Sequence, residues 1–310
     1  MWFIHVSRIL ASSGLLRNPP GDVGRWAIAS TDFDNFNRFD RALTMNASSK
    51  PYAWPYPREV AHRGGGTLAP ENTLAGLRCG LAHGFLGVEF DAMLAQDGVP
   101  VLMHDPQFGR TIRAPGGVQD YSAQALAALD AGSWLGEQFR GEPVCTLLQA
   151  MQFCVDHDIW MNIEIKPAND AVANETGRAV AALVRQFFAA AYADAANRAD
   201  KASAMALPLF SSFSFDALRA AQAAAPAIPR GWLVDVIEDG WQAQLQMLGA
   251  VALHTNQRHL TQAQASAVKQ AGYGLFCYTV NEPARAREIA NWGVDGFCTD
   301  RLDLFPQTHV

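Results

Sequence analysis

Val60-Ala-His-Arg-Gly-Gly-Gly-Thr-Leu-Ala-Pro-Glu-Asn-Thr73, continued by Val88-Glu-Phe-Asp91 and Val101-Leu-Met-His-Asp105, is the stretch whose reading decides the fold. It places His62, Arg63, Glu71, Glu89, Asp91, His104 and Asp105 in segments that otherwise read as buried strand. Charge buried without partners is costly, so such a cluster is expected to have a chemical task. Val60-Ala61 is a short apolar strand that breaks at Gly64-Gly65-Gly66, which puts His62 and Arg63 at its end. Pro70 and Glu71 are expected to open the next helix, with Leu74, Leu77 and Leu81 as its buried stripe and Gly84 closing it. Strand, glycine turn and helix start together suggest an anion cradle, although neither Walker nor Rossmann spacing is present.

Further on, Glu89 and Asp91 alternate with Val88 and Phe90, as a strand with one polar face requires, and Asp97-Gly98 reads as a two-residue hairpin turn. Closing that turn with Gln96 opposite Val99 sets Asp91 opposite His104, with Glu89 on the same face. Two carboxylates two residues apart on a strand offer hard oxygen donors for Mg²⁺ or Ca²⁺, and a histidine beside them can move protons. A solvated hairpin face would show the same alternation.

Working outward, strand-like and helical segments alternate. In Trp160-Met-Asn-Ile-Glu-Ile-Lys166, Asn162, Glu164 and Lys166 share one face, and Pro167 ends the strand. A long alanine-rich helix follows, with Val180, Leu183, Val184, Phe187 and Phe188 on its buried side. Then come strand-like Leu207 to Phe213, a helix from Asp216 to Ala225, Gly231 to Val234, Val251 to Thr255 and a helix from Gln262 to Ala271. Gly274 to Thr279, a helix capped by Asn281 and Asp295 to Asp300 complete the series. Short strands alternating with longer helices predict an α/β fold with a parallel sheet, and the number of units predicts a closed TIM (β/α)₈ barrel. Nine strand candidates compete for eight staves; either one hairpin arm lies antiparallel or the last strand is an extra element. Residues 106–145, punctuated by Ala114-Pro-Gly-Gly117 and Gly132-Ser-Trp134, form a small insertion after the third strand, placed to act as a substrate lid or specificity loop. Barrels of this type carry their chemistry at the C-terminal strand ends, where His62, Glu164, Lys166, Ser212, Trp232 and Asn281 fall.

With 310 residues and 49% hydrophobic content the chain can bury one barrel-sized core or two smaller ones. A net charge of −6 and the absence of a basic run argue against a nucleic-acid surface and for small-molecule partners. The five cysteines are odd in number and include no Cys-x-x-Cys pair, so they read as reduced thiols of a cytoplasmic protein. No apolar run has the length of a membrane span, and a homo-oligomer is compatible with the sequence. Residues 1–53 begin apolar, but Arg8 interrupts the run and no cleavage site follows, so a signal peptide is not expected. They read as an extension with little fixed structure ahead of a barrel domain over 54–310, with Met45 an alternative translation start.

His62-Arg-Gly with Pro70-Glu-Asn-Thr73, Glu89-x-Asp91, His104-Asp105, Glu164-Ile-Lys166, Tyr278-Thr-Val-Asn281 and Gly293-Val-Asp-Gly-Phe-Cys-Thr-Asp300 resemble, in this order, the glycerophosphodiester phosphodiesterases, above all the short cytoplasmic bacterial ones. The resemblance covers roughly residues 54–305. It implies a TIM barrel and hydrolysis of deacylated phospholipids to glycerol 3-phosphate and an alcohol. It further implies that Glu89, Asp91 and Glu164 hold a divalent metal, Mg²⁺ or Ca²⁺, that His62 and His104 are the acid/base pair, and that Arg63 and Lys166 hold the phosphate. Ser212, Phe213, Trp232 and Asn281 are further candidates for contact with the glycerophosphodiester. Phe213 and Trp232 could equally be rim packing, Glu164 and Lys166 a structural ion pair, and Asp105 either an orienter of His104 or a turn cap. His83, His157, His254, His259 and His309 read as packing or surface residues. Competing functions are a Schiff-base chemistry at Lys166, a non-catalytic phosphate-binding barrel, and a phosphodiesterase for lysophospholipids or glycerophosphoinositol.

Overall fold

A computed structural model describes residues 52–189 and 207–305. The expected N-terminal extension, its alternative start at Met45, and His309 lie outside these residues, except for positions 52 and 53. Nine strands appear: β1 (Glu59–Ala61), β2 (Gly87–Leu94), β3 (Pro100–Leu102), β4 (Trp160–Ile165), β5 (Leu209–Ser212), β6 (Arg230–Val234), β7 (Ala252–Asn256), β8 (Gly274–Tyr278) and β9 (Gly296–Thr299). Eight of them are parallel and close on themselves through the pairing of β1 with β2 and with β9. The ninth, β3, pairs antiparallel with the projecting end of β2, so the surplus strand is the hairpin arm. Helices α1 (Leu74–Ala82), α2 (Ala123–Leu126), α3 (Leu147–Asp156), α4 (Ala173–Phe187), α5 (Phe215–Ala224), α6 (Trp241–Leu248), α7 (Gln262–Gln270) and α8 (Pro283–Asn291) connect them. No helix among the described residues is long and apolar enough to cross a membrane.

Strand alternation sorts the side chains into two cores. On β4, Met161, Ile163 and Ile165 join the layer between strands and helices, together with Val180, Val184 and Phe187 of α4. Trp160 points the other way and meets Tyr56, Val60, Leu209, Phe276 and Cys298 in the barrel lumen. Trp54 closes this floor from outside the strands, stacked on Phe276 with centroids 5.7 Å apart and edge-on to Tyr56. A third, smaller core of Met93, Val101, Met103, Ile112, Val118, Leu126 and Val144 fastens residues 106–145 to the hairpin.

Three local expectations are corrected. The hairpin loop has three residues, Gln96 to Gly98, because the Ala95 N–H bonds to the Val99 carbonyl at 3.0 Å and Gly98 takes the left-handed conformation at φ 75°. Ala92 therefore faces Leu102, and the Met103 N–H bonds to the Asp91 carbonyl, so Asp91 lies opposite Met103 and not His104. A one-residue slip would reverse the faces of a continuous strand, but β3 ends at Leu102 and His104 lies beyond it. Second, α1 starts at Leu74 with Thr73 as its cap, and Pro70 and Glu71 precede it in a turn. Third, the N-terminus of α1 is no open anion cradle: its Ala75 N–H already bonds to Glu142 of the insertion at 2.7 Å.

Candidate active site

Seven of the predicted site residues, His62, Arg63, Glu89, Asp91, His104, Glu164 and Lys166, gather at the C-terminal mouth of the barrel. Register pairs Asp91 of β2 with Glu164 of β4, and with Glu89 two residues back the three carboxylates present oxygens within 4.8 Å of one another. Their shared face follows from the period of two on each strand. Glu89 and Asp91 are buried, and the two fixed cations against the three carboxylates are Arg63, which also pairs with Glu71, and Lys166. Burial and the neighbouring Asp91 charge push Glu89 up to about 7, against the pull of His62 and Arg63. Burial and Asp91 likewise push Glu164 up to about 8, despite Lys166. Asp91 behaves oppositely: burial would raise it, but Lys166, Arg63 and His104 hold it well below the usual range. Hard oxygen donors this close, buried and short of positive charge, suit a divalent cation.

The turn after β1 supplies much of the support. Arg63 adopts φ 50° and thereby aims its N–H at the Glu89 carboxylate, 3.0 Å away. Its guanidinium bonds to Glu71 at 2.9 Å and approaches Asp91 at 3.5 Å. Asn72, also left-handed at φ 57°, donates from Nδ2 to Asp91 at 2.8 Å and accepts the Asp91 N–H at 3.0 Å. Pro70-Glu-Asn-Thr73 is thus a working unit: Glu71 holds an arginine, Asn72 a carboxylate and Thr73 a helix end. Gly66 lets this turn lie against the chain after β9, since a Cβ there would fall 2.2 Å from the Asp300 carbonyl.

Both histidines are pinned through Nδ1 by a carboxylate at 2.6 Å, His62 by Asp300 and His104 by Asp105. That bond fixes ring orientation and leaves Nε2 of each ring available. His62 Nε2 stands 3.7 Å from Glu89. Burial lowers the His62 pKa, but the Asp300 hydrogen bond and the Glu89 charge outweigh it and leave the imidazole raised. In His104 burial prevails over the Asp91 charge, and the ring is lowered. Lys166 Nζ lies 3.2 Å from both Asp91 and Glu164, and those charges overcome burial to raise its pKa. A Schiff-base lysine needs the opposite shift.

A family model described as the glycerophosphoryl diester phosphodiesterase family matches residues 62–304. The chain belongs to this family. Its members are hydrolytic enzymes. A glycerophosphodiester phosphodiesterase of Caldanaerobacter subterraneus subsp. tengcongensis is 29% identical over 78% of this chain and 93% of its own. A phosphodiesterase of Oleispira antarctica, solved with its product sn-glycerol-3-phosphate, superposes with a TM-score of 0.69 at 34% identity, covering 79% of this chain and 93% of that one. A glycerophosphodiester phosphodiesterase of Agrobacterium tumefaciens superposes at 0.63 and 28% identity, over 80% and 98% of the two chains.

Within this phosphodiesterase barrel the remaining candidates scatter. Ser211, whose register partner is Glu164, shares the lumen parity, so Ser212 and its partner Trp232 face the helices. Ser212 is fully buried, donating to the Ile165 carbonyl and accepting the Ser214 N–H. Trp232 packs edge-on to Phe215 in the outer core. These two expected substrate contacts are therefore packing and turn residues. Phe213 lies beyond the strand, 50% exposed and edge-on to Tyr278 at the rim. Asn281 neither caps α8, whose cap is Glu282, nor stands free for substrate. Its amide donates to Asp300 at 3.0 Å and accepts the Asp300 N–H at 2.8 Å, so it steadies the carboxylate that steadies His62. Asp300 itself was legible only as the last letter of Gly293 to Asp300; its pairing with His62 spans 238 residues, and no local pattern encodes it.

Proposed function

We propose that this phosphodiesterase hydrolyses glycerophosphodiesters to sn-glycerol 3-phosphate and an alcohol, using a divalent cation and the pair His62 and His104. The carrying observation is the convergence of Glu89, Asp91 and Glu164 within 4.8 Å, flanked by two imidazoles each pinned by a carboxylate. Glu89, Asp91 and Glu164 would hold the cation, Mg²⁺ or Ca²⁺, which when bound draws charge from the non-bridging phosphoryl oxygens. Arg63 and Lys166 supply two further positive charges against the same oxygens, where a diester anion otherwise repels a nucleophile. One imidazole Nε2 takes the proton of the attacking oxygen, either water or the substrate's own 2-hydroxyl, and the other returns a proton to the departing alkoxide; in the second case a water then opens the resulting cyclic phosphate to glycerol 3-phosphate. Asp300 holds His62 with its Nε2 3.7 Å from Glu89, and Asp105 fixes the His104 ring through Nδ1.

The test is glycerol 3-phosphate release from a panel of glycerophosphodiesters, with and without chelator, for the native chain and His62→Ala. Chelation is expected to abolish release, and His62→Ala to lower kcat by about 10² to 10⁴-fold. Release that ignores chelator would remove the cation from the reading, and no release from any panel member would remove the substrate class. The same panel, extended to lysophospholipids, ranks the alcohol groups.

A further inference from the structure

Arg110 belongs to the insertion, and the proposed chemistry gives it no task, yet it makes three charged hydrogen bonds. Nε donates to Asp105 at 2.7 Å, while Nη1 and Nη2 donate to the two oxygens of Glu71 at 2.5 and 2.7 Å. Each of these carboxylates already holds a residue of the site. Asp105 accepts from His104 Nδ1 at 2.6 Å, and Glu71 from Arg63 at 2.9 Å. One guanidinium therefore joins Arg63, Glu71, Asp105 and His104 into a continuous chain, linking the turn after β1 to the segment after β3. Its side chain is 45% exposed, and ion pairs this exposed add little to stability. Planarity is what distinguishes it: a forked donor spanning two carboxylates fixes their relative geometry, which a lysine's point charge cannot do.

We propose that Arg110 is a positioning residue that sets His104 and Arg63 relative to each other by gripping Asp105 and Glu71 in one fork. The consequence for turnover rests on the phosphodiesterase reading; the positional part does not. Two readouts separate them. Two-bond ¹H–¹⁵N spectra of histidine-labelled protein at mildly alkaline pH report which nitrogen of His104 carries the proton, the resonance being assigned by its loss in His104→Ala. The native ring is expected in the Nδ1–H form, Arg110→Ala in a mixture of tautomers, and Arg110→Ala with free guanidinium restored toward the native pattern. In turnover, Arg110→Ala is expected to lower kcat about 10 to 100-fold with KM changed less than about twofold, and guanidinium to recover part of the loss. Arg110→Lys keeps the charge without the fork; it is expected to resemble Arg110→Ala and carries the same test if the alanine variant does not fold.

An unchanged His104 tautomer in both folded variants overturns the proposal. So does a raised KM with native kcat, which would make Arg110 a substrate contact, or full activity in Arg110→Lys. Native protein that releases no glycerol 3-phosphate overturns the function reading instead and leaves the spectroscopic comparison to decide the positional one.

Discussion

The two ends of the barrel lumen use the same strands for opposite purposes, and β4 shows both. Trp160 at its start packs among Tyr56, Leu209 and Phe276, while Glu164 at its end joins the carboxylate cluster. The two histidines that fall in the lumen diverge in the same way. His62 at the mouth is tied to Asp300, and its pKa is raised. His254 near the floor has no hydrogen-bond partner for either ring nitrogen among the described residues, and burial pushes it down to about 3. Charge is concentrated at the mouth and suppressed where the barrel is held closed. The mouth is thereby an electrostatic cost that the floor's packing must offset.

The largest expected effect comes from Glu164→Gln. It removes one of three converging charges, so kcat/KM should fall on the order of 10³-fold or more and divalent-cation binding should weaken. Stability should not fall with it. Glu89 and Glu164 have folded pKa values raised above the ordinary carboxylate range, to about 7 and 8. A raised folded pKa means stability present at low pH and lost as pH rises through that value. Cation-free native protein is therefore expected to melt at falling temperature from about pH 5 to pH 8, and added cation to reverse the trend with proton release. In Glu164→Gln both slopes should shrink, and a steeper alkaline loss in that variant would contradict the account of the mouth.

What the sequence made legible follows the same division. Strand alternation alone set Glu89 and Asp91 on one polar face of their strand and Glu164 on that of its own, because a period of two needs no distant information. The rule of strand ends misplaced Ser212 and Trp232, since position near a strand end says nothing about parity, and parity is set by the register between β4, β5 and β6. The His104 reading reached the right neighbourhood through the wrong register, rescued by the early end of β3. Asp300, Asn72 and Arg110 act through partners on other elements, and pairings of that kind become visible only once the barrel has closed. The floor was nearly silent: no local pattern marks Trp54 ahead of Pro55, and only its stacking on Phe276 shows it to be the plug.

Trp54→Ala therefore probes the floor without touching the chemistry. The ring is only partly buried, so the loss should be at the low end of aromatic truncations, about 3 kcal/mol. For a barrel of this size that is a fall of roughly 6–12 °C in Tm. Below the transition kcat and KM should remain within about twofold of native. A floor variant that lost turnover while still folded would mean that the two ends are mechanically coupled.

His254→Leu gives the smallest effect at neutral pH and the sharpest test of sign. Two buried nitrogens without partners contribute nothing favourable to the native state, and a leucine at this point, near Trp54 and Phe276, replaces them with apolar contact. In the unfolded chain the imidazole recovers its ordinary pKa, so from that value down to about 3 the unfolded state binds the proton that the native state refuses. Stability from this residue must then fall with acidification, by up to about 1.4 kcal/mol per pH unit, opposite in direction to the carboxylates at the mouth. Melting curves of native protein and His254→Leu should nearly coincide at pH 7 and separate progressively toward pH 4, the variant being the more acid-resistant. Curves that stay parallel would place a proton or a hydrogen-bond partner on His254 in the native state, and the contrast between floor and mouth would lose its electrostatic half.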